Sequence, residues 1–222
     1  MIVHAAMPEE STARGRVDAF ERFHDIPLDP FGRLSTTLHI RRNQLIISEG
    51  DAAEGVYRVS SGVIRLYKLL PDGRRQITGF MGPGEMVGSV LCECHGYAAE
   101  AVTAATLQRV ERDRLVALMD VDPVFMRSML AATVHQLNAA QEQIFLLGLK
   151  DAVGRLSAFL CMMRSRFHGH QNDSRYIHLP MSRTDIADYL GLTIESVSRA
   201  LKKLKDSRAI RVVSIKTIEM VH

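Results

Sequence analysis

Cysteine is scarce in this 222-residue chain: there are three, Cys92, Cys94 and Cys161. They are too few and too irregularly spaced for a disulfide framework, which fits a reducing compartment. No apolar run approaches the roughly 20 residues that a membrane-spanning helix needs. The opening MIVHAAMPEESTARGR lacks the long apolar segment of a secretory signal. The expected location is therefore the cytoplasm, with no membrane partner. Histidine is sparse where a metal site would need it, since residues 36–110 contain only His39 and His95, with no His-x-His. No nucleophile motif or phosphate-binding glycine loop is present, and these absences argue against an enzyme.

What is present is enough apolar residue, 46%, to bury a core, and the length suggests two domains. The net charge of +3 hides an asymmetry. Residues 150–222 hold 13 Lys and Arg against 7 Asp and Glu, a net of +6, whereas residues 1–149 hold 15 against 18, a net of −3. A basic last third behind a mildly acidic body points to a polyanionic partner.

The first two dozen residues are polar and aperiodic, a tail with at most one helical turn near residues 17–23. From about residue 36 to 110 the chain runs in short β-rich segments, LIISEGD, VYRVSSG, VIRLYKLLPDG, RRQITGFMGPGE and AVTAATLQRVE, and nine of its fifteen glycines lie between Gly50 and Gly96. Turn signals at Ser61-Gly62, Asp72-Gly73 and Gly82-Pro83-Gly84 predict an antiparallel barrel or sandwich. A long helix is predicted after Asp122-Pro123, a helix-start pair, with no further glycine or proline before Gly148. Leu130, Leu137 and Ile144 recur every seven residues with Val134 and Gln141 beside them, the pattern of a coiled-coil dimer seam. A helix packed on its own domain is the alternative. Ala152, Val153, Leu156, Phe159, Leu160 and Met163 predict another amphipathic helix. A polar loop, HGHQNDSR, follows it, and IRVVSIKTIEMV predicts a closing two-stranded hairpin.

Between loop and hairpin lies SRTDIADYLGLTIESVSRALKKLK, residues 182–205. Ser182 with Asp185 fits a capping box, so a helix should run from about Arg183 to Leu190, and Gly191 should end it. Thr193 can cap a second helix whose Ile194, Val197, Leu201 and Leu204 share one apolar face, expected to bury against the first. Glu195, Ser198, Arg199 and Lys202 are spaced i, i+3, i+4 and i+7, a single stripe on another face. Two helices joined by a short glycine turn, with such a stripe on the second, form a helix-turn-helix, whose second helix enters the DNA major groove. There Arg199 can donate two hydrogen bonds to guanine O6 and N7, Glu195 can accept from a cytosine or adenine amino group, and Ser198 can approach either kind of edge. Ser182, Arg183, Thr193, Lys202 and Lys203, with Lys205, are candidates for phosphate contacts. The competing reading is a solvated face carrying an intrahelical Glu195–Arg199 pair, which i,i+4 spacing also favours.

Taken together, EGDAAEGVYRVSSGVIRLYKLLPDGRRQITGFMGPGEMVG, the heptad helix and DIADYLGLTIESVSRALKKLK resemble the CRP/FNR superfamily of bacterial transcription regulators, and within it the FNR and FixK branch. The resemblance runs from about residue 35 to the end. It implies an α+β chain: a tail at 1–24, an antiparallel, jelly-roll-like β-roll of the cyclic-nucleotide-binding type at 25–120, a dimerisation helix at 121–148 and a winged helix-turn-helix at 149–222. It implies a homodimer on a palindromic TTGA-N6-TCAA-like site near promoters, in contact with RNA polymerase. Arg199 would read the guanine, Glu195 the opposite strand and Ser198 the outer thymines. FixK-type members drive genes of low-oxygen respiration, nitrogen fixation or denitrification.

Two departures from that family's pattern bear on cofactors. Cyclic-AMP-binding relatives hold the phosphate with an Arg-Ser pair, where this sequence places Ala98 and Ala99; neither can bind a phosphate, although Gly84-Glu85 remains. A [4Fe-4S] cluster needs four thiolates, and no cysteine precedes Cys92. The expectation is DNA binding without a small molecule, with control through abundance or through oxidation of Cys92, Cys94 or Cys161. Cys92-Glu93-Cys94-His95 lacks metal-ligand spacing, and His168, His170 and His178 lie around a solvated loop, so no metal site is expected. Haem-dependent gas sensing, with His39, His95 or a methionine on the iron, is the alternative within the superfamily. Metal-dependent catalysis on the β-roll is the alternative from another class.

Overall fold

The computed structural model describes residue 32 and residues 34–149, 151–167 and 175–221. The expected tail, its helical turn, and His168 and His170 lie outside these described residues.

Eight strands build the first unit: β1 (Thr36–Ile40), β2 (Leu45–Ile47), β3 (Gly55–Ser61), β4 (Ile64–Leu69), β5 (Arg75–Met81), β6 (Met86–Val87), β7 (Ala98–Ala101) and β8 (Ala105–Glu111). They form two four-stranded antiparallel sheets, β1-β8-β3-β6 and β2-β7-β4-β5. Inward side chains of both sheets meet in one cluster, with Val59 and Leu107 paired across β3 and β8, and Ile64 and Met81 across β4 and β5. This is the expected β-roll. Gly62 carries the chain from one sheet to the other at φ 87°, and a Cβ there would meet the Ala104 carbonyl oxygen at 2.5 Å. Only glycine fits that corner.

A helix that the sequence pattern did not reveal, α1 (Arg112–Val121), closes the roll, with Leu115 buried against Val56, Val110, Phe125 and Met129. Then comes α2 (Pro123–Gly148), 26 residues long. Asp122 caps it, accepting from the amides of Val124 at 2.9 Å and Phe125 at 3.0 Å, and Pro123 sits where its missing N–H costs nothing. Its inner face, Phe125, Met129, Gln143 and Leu146, packs inward, whereas Leu130, Val134, Leu137, Gln141 and Ile144 are all exposed.

The second unit comprises α3 (Ala152–Phe167), β9 (Tyr176–His178), α4 (Arg183–Leu190), α5 (Ile194–Asp206), β10 (Ile210–Ser214) and β11 (Thr217–Met220). The expected hairpin is one strand short, because β9 pairs with β11 and the sheet runs β10-β11-β9. Leu156, Phe159, Leu160 and Met163 of α3 are fully buried against α4 and α5, as their spacing predicts. The same cluster includes Ile77 and Phe80 of β5, and Tyr189 of α4 lies 5.5 Å from the rings of both Phe80 and Phe159. The two units thus share apolar packing.

Candidate nucleic-acid interface

The helix-turn-helix is fixed locally by two caps and one glycine. At the start of α4, Ser182 Oγ accepts from the Asp185 amide at 3.0 Å while Asp185 Oδ2 accepts from the Ser182 amide at 2.9 Å, a reciprocal capping box. Gly191 ends α4 in the left-handed region at φ 62°. Thr193 then caps α5, its Oγ1 accepting from the Ser196 amide at 3.2 Å. Val197, Ala200, Leu201 and Leu204 bury the inner face of α5. Ile194, expected among them, is 43% exposed. It is the first residue of α5, next to the Thr193 cap, and lies outside the buried cluster that Val197, Leu201 and Leu204 join.

Glu195, Ser198, Arg199 and Lys202 are all exposed, as are Lys203 and Lys205. Arg199 turns toward its own helix: Nη2 donates to Ser196 Oγ at 3.1 Å, and the Ser196 and Thr193 hydroxyls are hydrogen-bonded at 3.1 Å. Ser196 went unnoticed in the sequence, although its i−3 and i+3 neighbours are the cap and the arginine. Its hydroxyl holds the guanidinium near the start of α5. The Glu195 carboxyl titrates below the usual carboxylate range; its own backbone N–H is the main cause, followed by the Thr193 hydroxyl and the charge of Arg199. At neutral pH it is thus an acceptor only, the form that receives a base amino group.

Of the phosphate candidates, Arg183 stands exposed at the first position of α4, and Thr193 at the N-terminus of α5, where unpaired amides favour an anion. Ser182 is exposed, but its hydroxyl proton is committed to Asp185 Oδ2 at 2.7 Å. Ser182→Ala should therefore cost about 1 kcal/mol of stability in chemical denaturation through the lost cap.

Elsewhere, Cys92 and Cys94 are exposed and Cys161 is half-buried, all three free thiols. Ala98 and Ala99 of β7 are buried, the latter 0% exposed. Glu85 is engaged at both oxygens: Oε2 accepts from the Gly82 amide at 2.7 Å and Oε1 from Arg166 Nη2 of α3 at 2.6 Å. Among the described residues no three His, Cys, Asp or Glu side chains group as a metal site would need. No described helix is long and apolar enough to cross a membrane.

Two family models match the chain, the cyclic nucleotide-binding domain over residues 37–122 and the Crp-like helix-turn-helix domain over residues 154–221. The nitrogen fixation regulation protein FixK of Bradyrhizobium diazoefficiens is 39% identical over 186 residues, 84% of this chain and 78% of that protein. FixK of Rhizobium meliloti is 40% identical over 176 residues, 79% of this chain and 78% of that one. The structure of FixK2 from Bradyrhizobium japonicum superposes with a TM-score of 0.78 at 37% identity, covering 85% of this chain and 93% of the other. These relatives are regulators of transcription and not enzymes. With its β-roll, its helix-turn-helix and matches of this extent, the chain belongs to the CRP/FNR family of transcription regulators and is of the FixK type.

Proposed function

We propose that the chain acts as a homodimer that reads a TTGA-N6-TCAA-like palindrome, and that it does so without a cyclic nucleotide or an iron–sulfur cluster. The observation that carries this reading is the exposed stripe Glu195, Ser198 and Arg199 at the start of α5, with the exposed lysines Lys202 and Lys203 behind it. Base-edge chemistry lies toward the N-terminal end of the helix and phosphate chemistry along the rest, the division that sequence-specific readers need. The exposed apolar seam of α2 supplies the dimer contact. Independence from a cyclic nucleotide follows from Ala98 and Ala99, which offer no phosphate donor, and from the commitment of Glu85 to Arg166 and the Gly82 amide. Three cysteines leave a four-thiolate cluster one ligand short. Activation through RNA polymerase at genes of low-oxygen or nitrogen-oxide metabolism extends the reading, supported by relatives named as a nitrogen fixation regulation protein and as an anaerobic regulatory protein.

The test is fluorescence anisotropy of ligand-free protein at fixed salt, in air and with reductant, on the palindrome against a scrambled duplex. The expected result is selective binding, by at least about 10³-fold, without any added effector. Equal binding to both duplexes overturns the reading. A reductant effect would assign control to the thiols.

Lys202→Ala should weaken both duplexes alike and lower the slope of log affinity on log salt by about 1 per subunit. A salt slope equal to that of the wild type would place Lys202 away from the phosphates.

A further inference from the structure

The first helix of the helix-turn-helix is held at both ends by the β-roll. Asp185, at its third position, is 3% exposed. Its Oδ1 accepts from Arg65 Nη1 of β4 at 3.0 Å and from Arg75 Nη2 of β5 at 2.9 Å, while Oδ2 is filled by the Ser182 cap. The other end of the Arg65 guanidinium pairs with Glu100 of β7, so the arginine is anchored within the roll before it reaches the helix. Arg75 continues one turn along α4 to Asp188, donating from Nε at 2.9 Å and Nη2 at 2.8 Å. At the far end of α4, where carbonyls lack helical partners, Gln76 Nε2 donates to the Asp188 carbonyl at 2.8 Å.

Apolar burial alone would hold the two units together while permitting them to slide or rotate. Several converging charge-assisted hydrogen bonds resist that: two guanidinium groups from different strands meet on Asp185 Oδ1, and two N–H groups of Arg75 meet on Asp188 Oδ2. Since α5 packs on α4 through Val197 and Leu201, whatever fixes α4 on the roll also fixes the direction in which the reading stripe points. A dimeric reader needs that direction held, because its two reading helices must fall one DNA turn apart.

We propose that Arg65 and Arg75, on the β-roll, are positioning residues for DNA reading: through Asp185 and Asp188 they hold the helix-turn-helix in its reading orientation, a task that needs no small molecule here. The DNA half of this inference rests on the function proposed above; the clamp itself is measurable without DNA.

The experiment compares full-length wild type with Arg75→Met, Asp188→Asn and the double variant. Two readouts are used: amide hydrogen exchange of residues 183–190, and anisotropy on the palindrome and on scrambled DNA. Arg75→Met keeps the aliphatic stem and leaves the helix-turn-helix untouched; Asp188→Asn leaves the roll untouched, so either variant alone suffices if the other fails to fold. With the clamp broken, exchange in α4 should accelerate about tenfold while β3 and β8 keep wild-type protection. If the competent orientation falls to about a tenth of the population, apparent affinity for the palindrome falls about tenfold. Affinity for scrambled DNA should hold, because Lys202 and Lys203 remain exposed to phosphates whatever the orientation. Asp188→Asn should add little in the Arg75→Met background, since both act through one contact. Unchanged exchange in α4, with palindrome affinity equal to that of the wild type, overturns the proposal. Equal losses on both duplexes would reduce the arginines to a purely structural role and overturn it too. If the wild type itself shows no selectivity, the functional reading fails, and the exchange arm still decides whether the clamp exists.

Discussion

Arg199→Ala should reduce affinity for the palindrome by about 1 to 3 kcal/mol per half-site, or about 2 to 6 kcal/mol for a dimer, and relax the preference for guanine at the matching position. The expected loss is large because a guanidinium meets guanine O6 and N7 with two parallel donors, and no other side chain on the exposed face of α5 offers that fork. It is also specific, because the residue's contacts within its own fold are one 3.1 Å hydrogen bond to Ser196 and a charge interaction with Glu195, both on an exposed surface. Thermal stability should therefore stay within about 0.5 kcal/mol of wild type. Arg199→Lys should recover the phosphate-like attraction without the base preference, since an ammonium is a point charge. Anisotropy on duplexes differing only at the guanine decides the matter. A loss shared equally by all sequences would make Arg199 a phosphate contact and move base reading elsewhere on the helix.

The helix-turn-helix was legible in the sequence because the signals that start and end its helices are local. Ser182 with Asp185, Gly191 and Thr193 are punctuation within a dozen residues, and the period of Val197, Leu201 and Leu204 sets the buried side. The heptad residues of α2 were legible for the same reason, and the structure leaves all five exposed. Apart from Ser196, what the sequence does not announce depends on the rest of the fold. β9 is three residues long and is a strand only because Ile177 lies opposite Ile218 of β11. In α1, Leu115 alone is buried, too little for a periodic signal. Arg65 stands between Ile64 and Leu66 as if turned to solvent, Arg75 stands in a polar run between Arg74 and Gln76, and nothing near them announces partners 120 and 110 residues away. Asp185 is the cap that its spacing from Ser182 predicts, yet capping uses only one of its two oxygens. Its second role appears once the chain is folded, and it ties the site to the β-roll.

Replacing Leu137 with glutamate should convert the proposed dimer to monomers of 24.8 kDa by light scattering and abolish selective binding to the proposed palindrome. Leu137 is 56% exposed and Ile144 is 70% exposed on a single chain, and with Leu130 and Val134 they make an outward apolar row on α2. Seven-residue spacing keeps such a row facing a second helix along its whole length when the two wind about each other. In a symmetric pair each Leu137 lies near its equivalent, so the substitution brings two carboxylates into one dry layer. Each ion loses several kcal/mol of hydration there, and the two repel. Within one chain the same substitution sits on an open face, so circular dichroism should show wild-type helix content, which separates loss of assembly from loss of fold. A monomer engages one half-site only; losing the linked second contact should lower affinity about 10²- to 10⁴-fold. Leu137→Met, which conserves volume, should cost less than about 1.5 kcal/mol and keep the dimer. A Leu137→Glu protein that remains dimeric would locate the interface on another surface, and the spacing of the two reading helices would then have to be set by something other than α2.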